Sequence, residues 1–128
     1  MNFEQDYMER VIRAIGKMIV AIVDGKDAIA TDIENENYDM KLSDDDLLEI
    51  MVKKYLMEEN INEAENIIYD AIKSRNTKKS YEIAINFYSS INKFSDKKLL
   101  DCNFSREEIL EGLEGVKKIQ DNKLNEHY

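Results

Sequence analysis

Apolar residues return at every third or fourth position through most of the chain, and no proline interrupts any of its 128 residues. That spacing is the period of an α-helix with one buried face, and an internal proline would break such a helix by removing a backbone donor. Only four glycines are present. A sandwich or barrel of short strands needs turn residues every 8–12 positions or so, and this chain does not supply them. The pattern predicts an all-α protein of five or so antiparallel helices. A length of 128 residues is enough for one core and too short for two, so one domain over residues 1–128 is expected.

The first helix is predicted over residues 3–24. Phe3, Tyr7, Met8, Val11, Ile12 and Ile15 begin a wide apolar stripe that Met18, Ile19, Ile22 and Val23 continue. Asn2 with Gln5 has the form of a capping box, and Gly25 the form of a C-terminal stop. Residues 26–42 are expected to be an acidic connection with a short helical turn near 27–33. Asp32, Glu34, Glu36 and Asp39 crowd this segment, and residues 31–50 hold eight acids against one base.

Further helices are predicted over residues 44–58, 61–74, 77–92 and 105–121, with one helical turn at 96–100 and a polar, frayed tail at 122–128. Ser43 with Asp46, Asn60 with Glu63 and Ser105 with Glu108 are the capping pairs. The two or three residues between the helices of 44–58 and 61–74 leave no room for anything but antiparallel neighbours. The expected buried faces are Leu47, Leu48, Met51, Val52, Tyr55 and Leu56, then Ala64, Ile67, Ile68, Ala71 and Ile72. Tyr81, Ala84, Ile85, Phe87, Tyr88 and Ile91 follow, and Ile109, Leu110, Leu113, Val116 and Ile119 complete the set.

A repeat of large residues is visible. Leu48, Met51, Val52 and Tyr55 return 33 positions later as Tyr81, Ala84, Ile85 and Tyr88. Ala64, Ile68 and Ala71 follow the first set with small, large and small residues. Residues 45–76 resemble a tetratricopeptide repeat, in which alanines let two helices approach and the bulky residue fills the hole between them. Val52 and Glu59 stand where that repeat has glycine, and Asn76 where it has proline. The second unit is stretched between Tyr88 and Ser105. The opening residues Gln5 to Ile19 also resemble the start of a family of small helical proteins of unassigned activity from clostridia and related bacteria, which continue into tetratricopeptide-like helices.

Charge and motif content narrow the function. A net charge of −9 disfavours nucleic acid and anionic membrane as partners, since both reward a basic face. The longest apolar run, residues 18–23, is far too short to cross a bilayer, and acids precede it where an export signal has bases. The cytoplasm is the expected location. No phosphate-binding glycine loop, dinucleotide fingerprint or paired-cysteine motif occurs, and no cofactor or metal is expected. His127 sits in the tail, where no geometry would hold a base, and Cys102 has no ordered histidine to activate it. Asp32, Glu34 and Glu36 have the spacing of a calcium loop. Asn37 and Ser43 stand where such a loop needs glycine and glutamate, so a solvated acidic loop is expected there. Asp44, Asp45 and Asp46 are read as helix-start acids. Gly112 and Gly115 are read as a close approach by a neighbouring helix, within the chain or from a partner. The wide stripe of the first helix suits a central buried helix packed on the helix pairs, a homodimer face, or a membrane-surface face flanked by Arg10, Arg13 and Lys17.

The function expected is protein or peptide binding, or assembly, without catalysis. The tetratricopeptide resemblance implies a concave surface lined by the first helix of each pair. It places Glu49, Lys53 and Leu56, with Glu82, Asn86 and Ser89, in a partner-binding groove. The alternative is a small helical-bundle enzyme or metal-binding protein using buried carboxylates.

Overall fold

A computed structural model of the chain describes residues 3–36 and 43–125, with the side chains of residues 3, 22–36 and 125 outside that description. Six helices occur among the described residues, and no strand. They are α1 (Phe3–Glu36), α2 (Asp44–Met57), α3 (Ile61–Arg75), α4 (Lys78–Asn92), α5 (Asp96–Asp101) and α6 (Arg106–Asn125). The all-helical reading of the spacing stands.

Two ends differ from expectation. Gly25 does not stop α1, which runs on to Glu36 through most of the expected acidic loop. A glycine inside a helix costs about 1 kcal/mol against alanine, and like charges at i, i+4 cost a few tenths. Those amounts do not halt a helix already nucleated over two dozen residues, which gains one hydrogen bond per residue added. The other end is α6, which continues to Asn125 through part of the expected frayed tail. There Lys123 Nζ donates to the Lys73 carbonyl at 2.8 Å, which ties α6 to the end of α3, and Lys117 pairs with Asp121 one turn along α6 at 2.5 Å. Residues 37–42 and 126–128 of the expected loop and tail lie outside the described residues.

The caps explain most of the remaining boundaries. Ser43 accepts from Asp46 N at 3.0 Å while its own N–H donates to the Asp46 carboxylate at 3.1 Å. Asn60 accepts from Glu63 N at 3.4 Å, and Ser105 and Glu108 cap α6 reciprocally. Thr77 and Ser80 form a further reciprocal box that starts α4. Between α3 and α4 the backbone turns at Asn76, a left-handed residue with φ 51° whose amide oxygen accepts from the Tyr81 hydroxyl.

One core runs through the helices. Ile12, Ile19, Ala64, Ile68, Tyr81 and Tyr88 are all 1% exposed or less. Ile109, Leu113 and Val116 of α6 close it from the other side. α1 packs on α4 and α6, while α2 packs on α3 and α4. α1 therefore buries one face only. Met8, Ile12 and Ile19 face inward, whereas Tyr7 and Met18 of the expected stripe are 55% and 54% exposed. Leu47 and Met51, expected inside, are also solvent-facing.

A buried polar knot fixes the corner where α4, α5 and α6 meet. Arg106 is 5% exposed and donates to the Asn92 carbonyl at 2.8 Å, the Asn92 side chain at 3.0 Å and the Phe94 carbonyl at 2.8 Å. Its remaining N–H groups reach Asp96. Asn92 passes the link to α1, donating to the Gln5 carbonyl and to Glu9, each at 3.1 Å. The carbonyl of Asn92, the last residue of α4, accepts from Arg106 and Gln5 here instead of from a further turn.

Candidate functional site

α2 and α4 lie side by side, and a depression of about 180 Å³ runs between them. Its floor is Val52, Leu56, Ile83 and Phe87, and its rim is Glu49, Lys53, Asn86 and Ser90. The floor residues come from the i, i+4 rows of both helices, which is why the strip is continuous and apolar. Lys53 has no ion-pair partner among the described residues, so its charge is available to whatever enters.

Four of the six residues placed in a groove by the sequence reading meet here: Glu49, Lys53, Leu56 and Asn86. Glu82 and Ser89 do not line it. Glu82 pairs along its own helix with Lys78 at 3.7 Å, and the Ser89 hydroxyl donates to Glu9 of α1 at 3.4 Å. α1 occupies that side of α4, packing Gly16 against Ile85. On α4 the depression is lined by Ile83, Asn86, Phe87 and Ser90, so Asn86 is shared with the expected set while Ser90 stands where Ser89 is expected. Ile83, Asn86, Phe87 and Ser90 recur at i, i+3, i+4 and i+7, so the signal was present in the spacing.

Two of the three aspartates that open α2, Asp45 and Asp46, are structural partners of the α3–α4 corner. Asp45 takes Arg75 at 2.9 Å and the Thr77 hydroxyl at 2.5 Å. Asp46 takes Lys79 at 2.6 Å. The Lys79 hydrogen bond and the capping bond from Ser43 lower the Asp46 carboxyl to about 2. Asp32, Glu34 and Glu36 sit on a helix, which is not the loop a calcium site or a solvated acidic loop would need, and their side chains lie outside the described residues. Cys102 is buried at the end of α5, and burial pushes its thiol up, away from reactivity. His127 lies outside the described residues. Among the described residues there is no cluster of three or more His, Cys, Asp or Glu placed to hold a metal ion. None of the described helices is long and apolar enough to cross a membrane.

A second depression, of about 360 Å³, was not anticipated. Glu65 and Tyr69 of α3 face Glu108, Glu111 and Gly112 of α6 across it. The Tyr88 hydroxyl donates to Glu65 at 2.7 Å, and the Tyr69 hydroxyl donates to the Gly112 carbonyl at 2.6 Å. Desolvation raises the Glu65 carboxyl above its ordinary value against the pull of Tyr88, and Glu108 and Glu111 add to the rise. The glycines of α6 make room for these hydroxyls. A Cβ at Gly112 would lie 2.6 Å from Tyr88 Cζ, and one at Gly115 would overlap the Tyr69 hydroxyl. The close approach inferred from Gly112 and Gly115 is thus made by tyrosine side chains of α3 and α4 within the chain.

Two further surfaces are apolar and open. About 430 Å³ lies between α1 and α4, where Gly16, Val20, Ala21 and Ile85 sit beneath Arg13 and Lys17. About 270 Å³ lies between α2 and α3, with Leu47, Leu48, Met51 and Ile67 on its floor and Asp44 and Asp70 on its edge.

A family model described as a family of unknown function (DUF6483) matches residues 2–121, a span that includes every surface described above. No curated protein and no solved structure matches the chain.

Proposed function

We propose that this chain, which belongs to the DUF6483 family of unknown function, is a non-catalytic binding module that takes a polypeptide segment in the groove between α2 and α4. The observation that carries the reading is the groove itself: an apolar floor of Val52, Leu56, Ile83 and Phe87 edged by one acid, one base, one amide and one hydroxyl. A polypeptide offers both apolar side chains and backbone donors and acceptors, and that mixed edge answers both. The resemblance of residues 45–76 to a tetratricopeptide repeat supports the same reading, because the first helix of such a repeat lines a binding surface. The module is cytoplasmic on this reading.

The second reading, a carboxylate-based enzyme or metal-binding protein, is favoured by one observation, the raised and part-buried Glu65 beside its own depression. Purified protein holding one equivalent of metal, lost in Glu65→Gln, would move the conclusion to it. The test of the preferred reading is a peptide selected from a displayed library on the wild-type protein. Its affinity, followed by fluorescence anisotropy, falls at least tenfold in Lys53→Glu and is unchanged in Lys118→Glu on distant α6. Equal affinity for all three proteins contradicts the groove.

A further inference from the structure

α1 leaves one face uncovered over residues 4–21. Tyr7, Arg10, Ala14, Lys17, Met18 and Ala21 fall on that face by the helical period, and every one of them is exposed. It is a ridge of apolar residues carrying two positive charges. Arg10 and Lys17 have no partner among the described residues. Seven residues separate them, about 10 Å along the axis.

The opposite arrangement occurs between α2 and α3. Leu47 and Met51 are 46% and 42% exposed over a floor completed by Leu48, Ile67 and Ala71, and Ile50 beside them is 54% exposed. The charges at its edge are acidic. Asp44 and Asp70 have no side-chain partner among the described residues, while the one nearby base, Arg75, is held by Asp45. A ridge that is apolar and basic and a groove that is apolar and acidic stand on the same chain.

We propose that the exposed ridge of α1 docks in the α2–α3 groove of a second copy of this chain, as a helix laid in a groove. Charge complementarity selects the occupant. The groove repels an acidic segment, and the protein as a whole carries −9, so its ridge is an uncommon basic apolar surface on this molecule. Each copy offers one ridge and one groove. Two copies that exchange both contacts close as a dimer, and copies that make one contact at a time form larger species. The surfaces used leave the α2–α4 groove open, so self-association and peptide capture are separate properties.

The test is sedimentation velocity of the full chain over a wide concentration range. The wild type is expected to show a species heavier than the 15.0 kDa monomer. The double variant Arg10→Glu with Lys17→Glu weakens association roughly tenfold or more, because like charges then face each other. Asp44→Lys with Asp70→Lys does the same from the groove side. Mixing the two double variants restores association, since each ridge then meets a groove of opposite sign. All four positions are exposed, and far-UV circular dichroism confirms that each variant keeps its helices. A wild type that sediments as a monomer throughout overturns the proposal. So does a pair of double variants that associate like the wild type, or a mixture that stays monomeric.

Discussion

Replacing Arg106 with alanine removes the donor that holds the α4–α5–α6 corner together. The guanidinium serves three buried acceptors and one carboxylate. The Asn92 carbonyl keeps a second donor, Gln5 Nε2 at 2.8 Å, so its loss is partial. The Phe94 carbonyl and the Asn92 side-chain oxygen have no other donor among the described residues. Asp96 is 71% exposed and returns to water at little cost. Two buried acceptors left unmade cost about 1–3 kcal/mol each, and with the lost packing of the side chain the total is about 3–5 kcal/mol. For a domain of this size that is a fall of about 10–25 °C in the thermal midpoint. Asp96→Asn, which removes only the exposed end of the same network, costs under about 1 kcal/mol. Arg106→Met restores bulk without donors and recovers only the packing part. Urea denaturation followed by circular dichroism measures all three. If Arg106→Ala costs no more than Asp96→Asn, the corner is held by apolar packing and the role assigned to the knot is wrong.

Gly115→Ala is destabilising by about 1–2 kcal/mol in urea denaturation, the overlap with the Tyr69 hydroxyl outweighing the gain in helix propensity. In the Tyr69→Phe background the same change costs less than it does alone, because the new Cβ then meets only the ring carbon at 3.2 Å. Glu65 binds its proton more tightly folded than unfolded, so its contribution favours folding below 4.5 and is lost as pH rises through the folded value. The stability of wild type relative to Glu65→Gln therefore declines from about pH 4 upward and then levels, and a difference that rises with pH would contradict the desolvation argument. Glu59 holds φ 61°, and glycine there removes the side-chain penalty at some cost in unfolded-chain entropy, so Glu59→Gly raises the urea midpoint by about 0.5 kcal/mol equivalent.

Helix identity was legible because each element carries its own local signals. The three capping pairs are one or two bonds each, made within four residues, and sequence spacing reports such bonds directly. Gly25 and the end of α6 were misread for the opposite reason. A glycine's penalty is local, but whether it stops a helix depends on the helix before it, and Lys123 reaches a carbonyl fifty residues away. The same division runs through the candidate site. Glu49, Lys53 and Leu56, which the tetratricopeptide resemblance implies, lie at i, i+4 and i+7 and so share one face of α2. On α4, two faces of similar composition were available, and only the position of α1 decides that Ser89 meets Glu9 while Ser90 edges the groove. Arg106 and the Glu65–Tyr88 pair were invisible because their partners lie 10 to 23 residues away on other helices and follow no period.

The claim that the α2–α4 groove takes polypeptide is tested most directly by nuclear magnetic resonance. A peptide selected on the wild-type protein is titrated into isotopically labelled protein while the backbone amides are followed. The account predicts that Val52, Lys53, Leu56, Asn86 and Phe87 shift first and most. Shifts confined to α6, or none at saturating peptide, would contradict it.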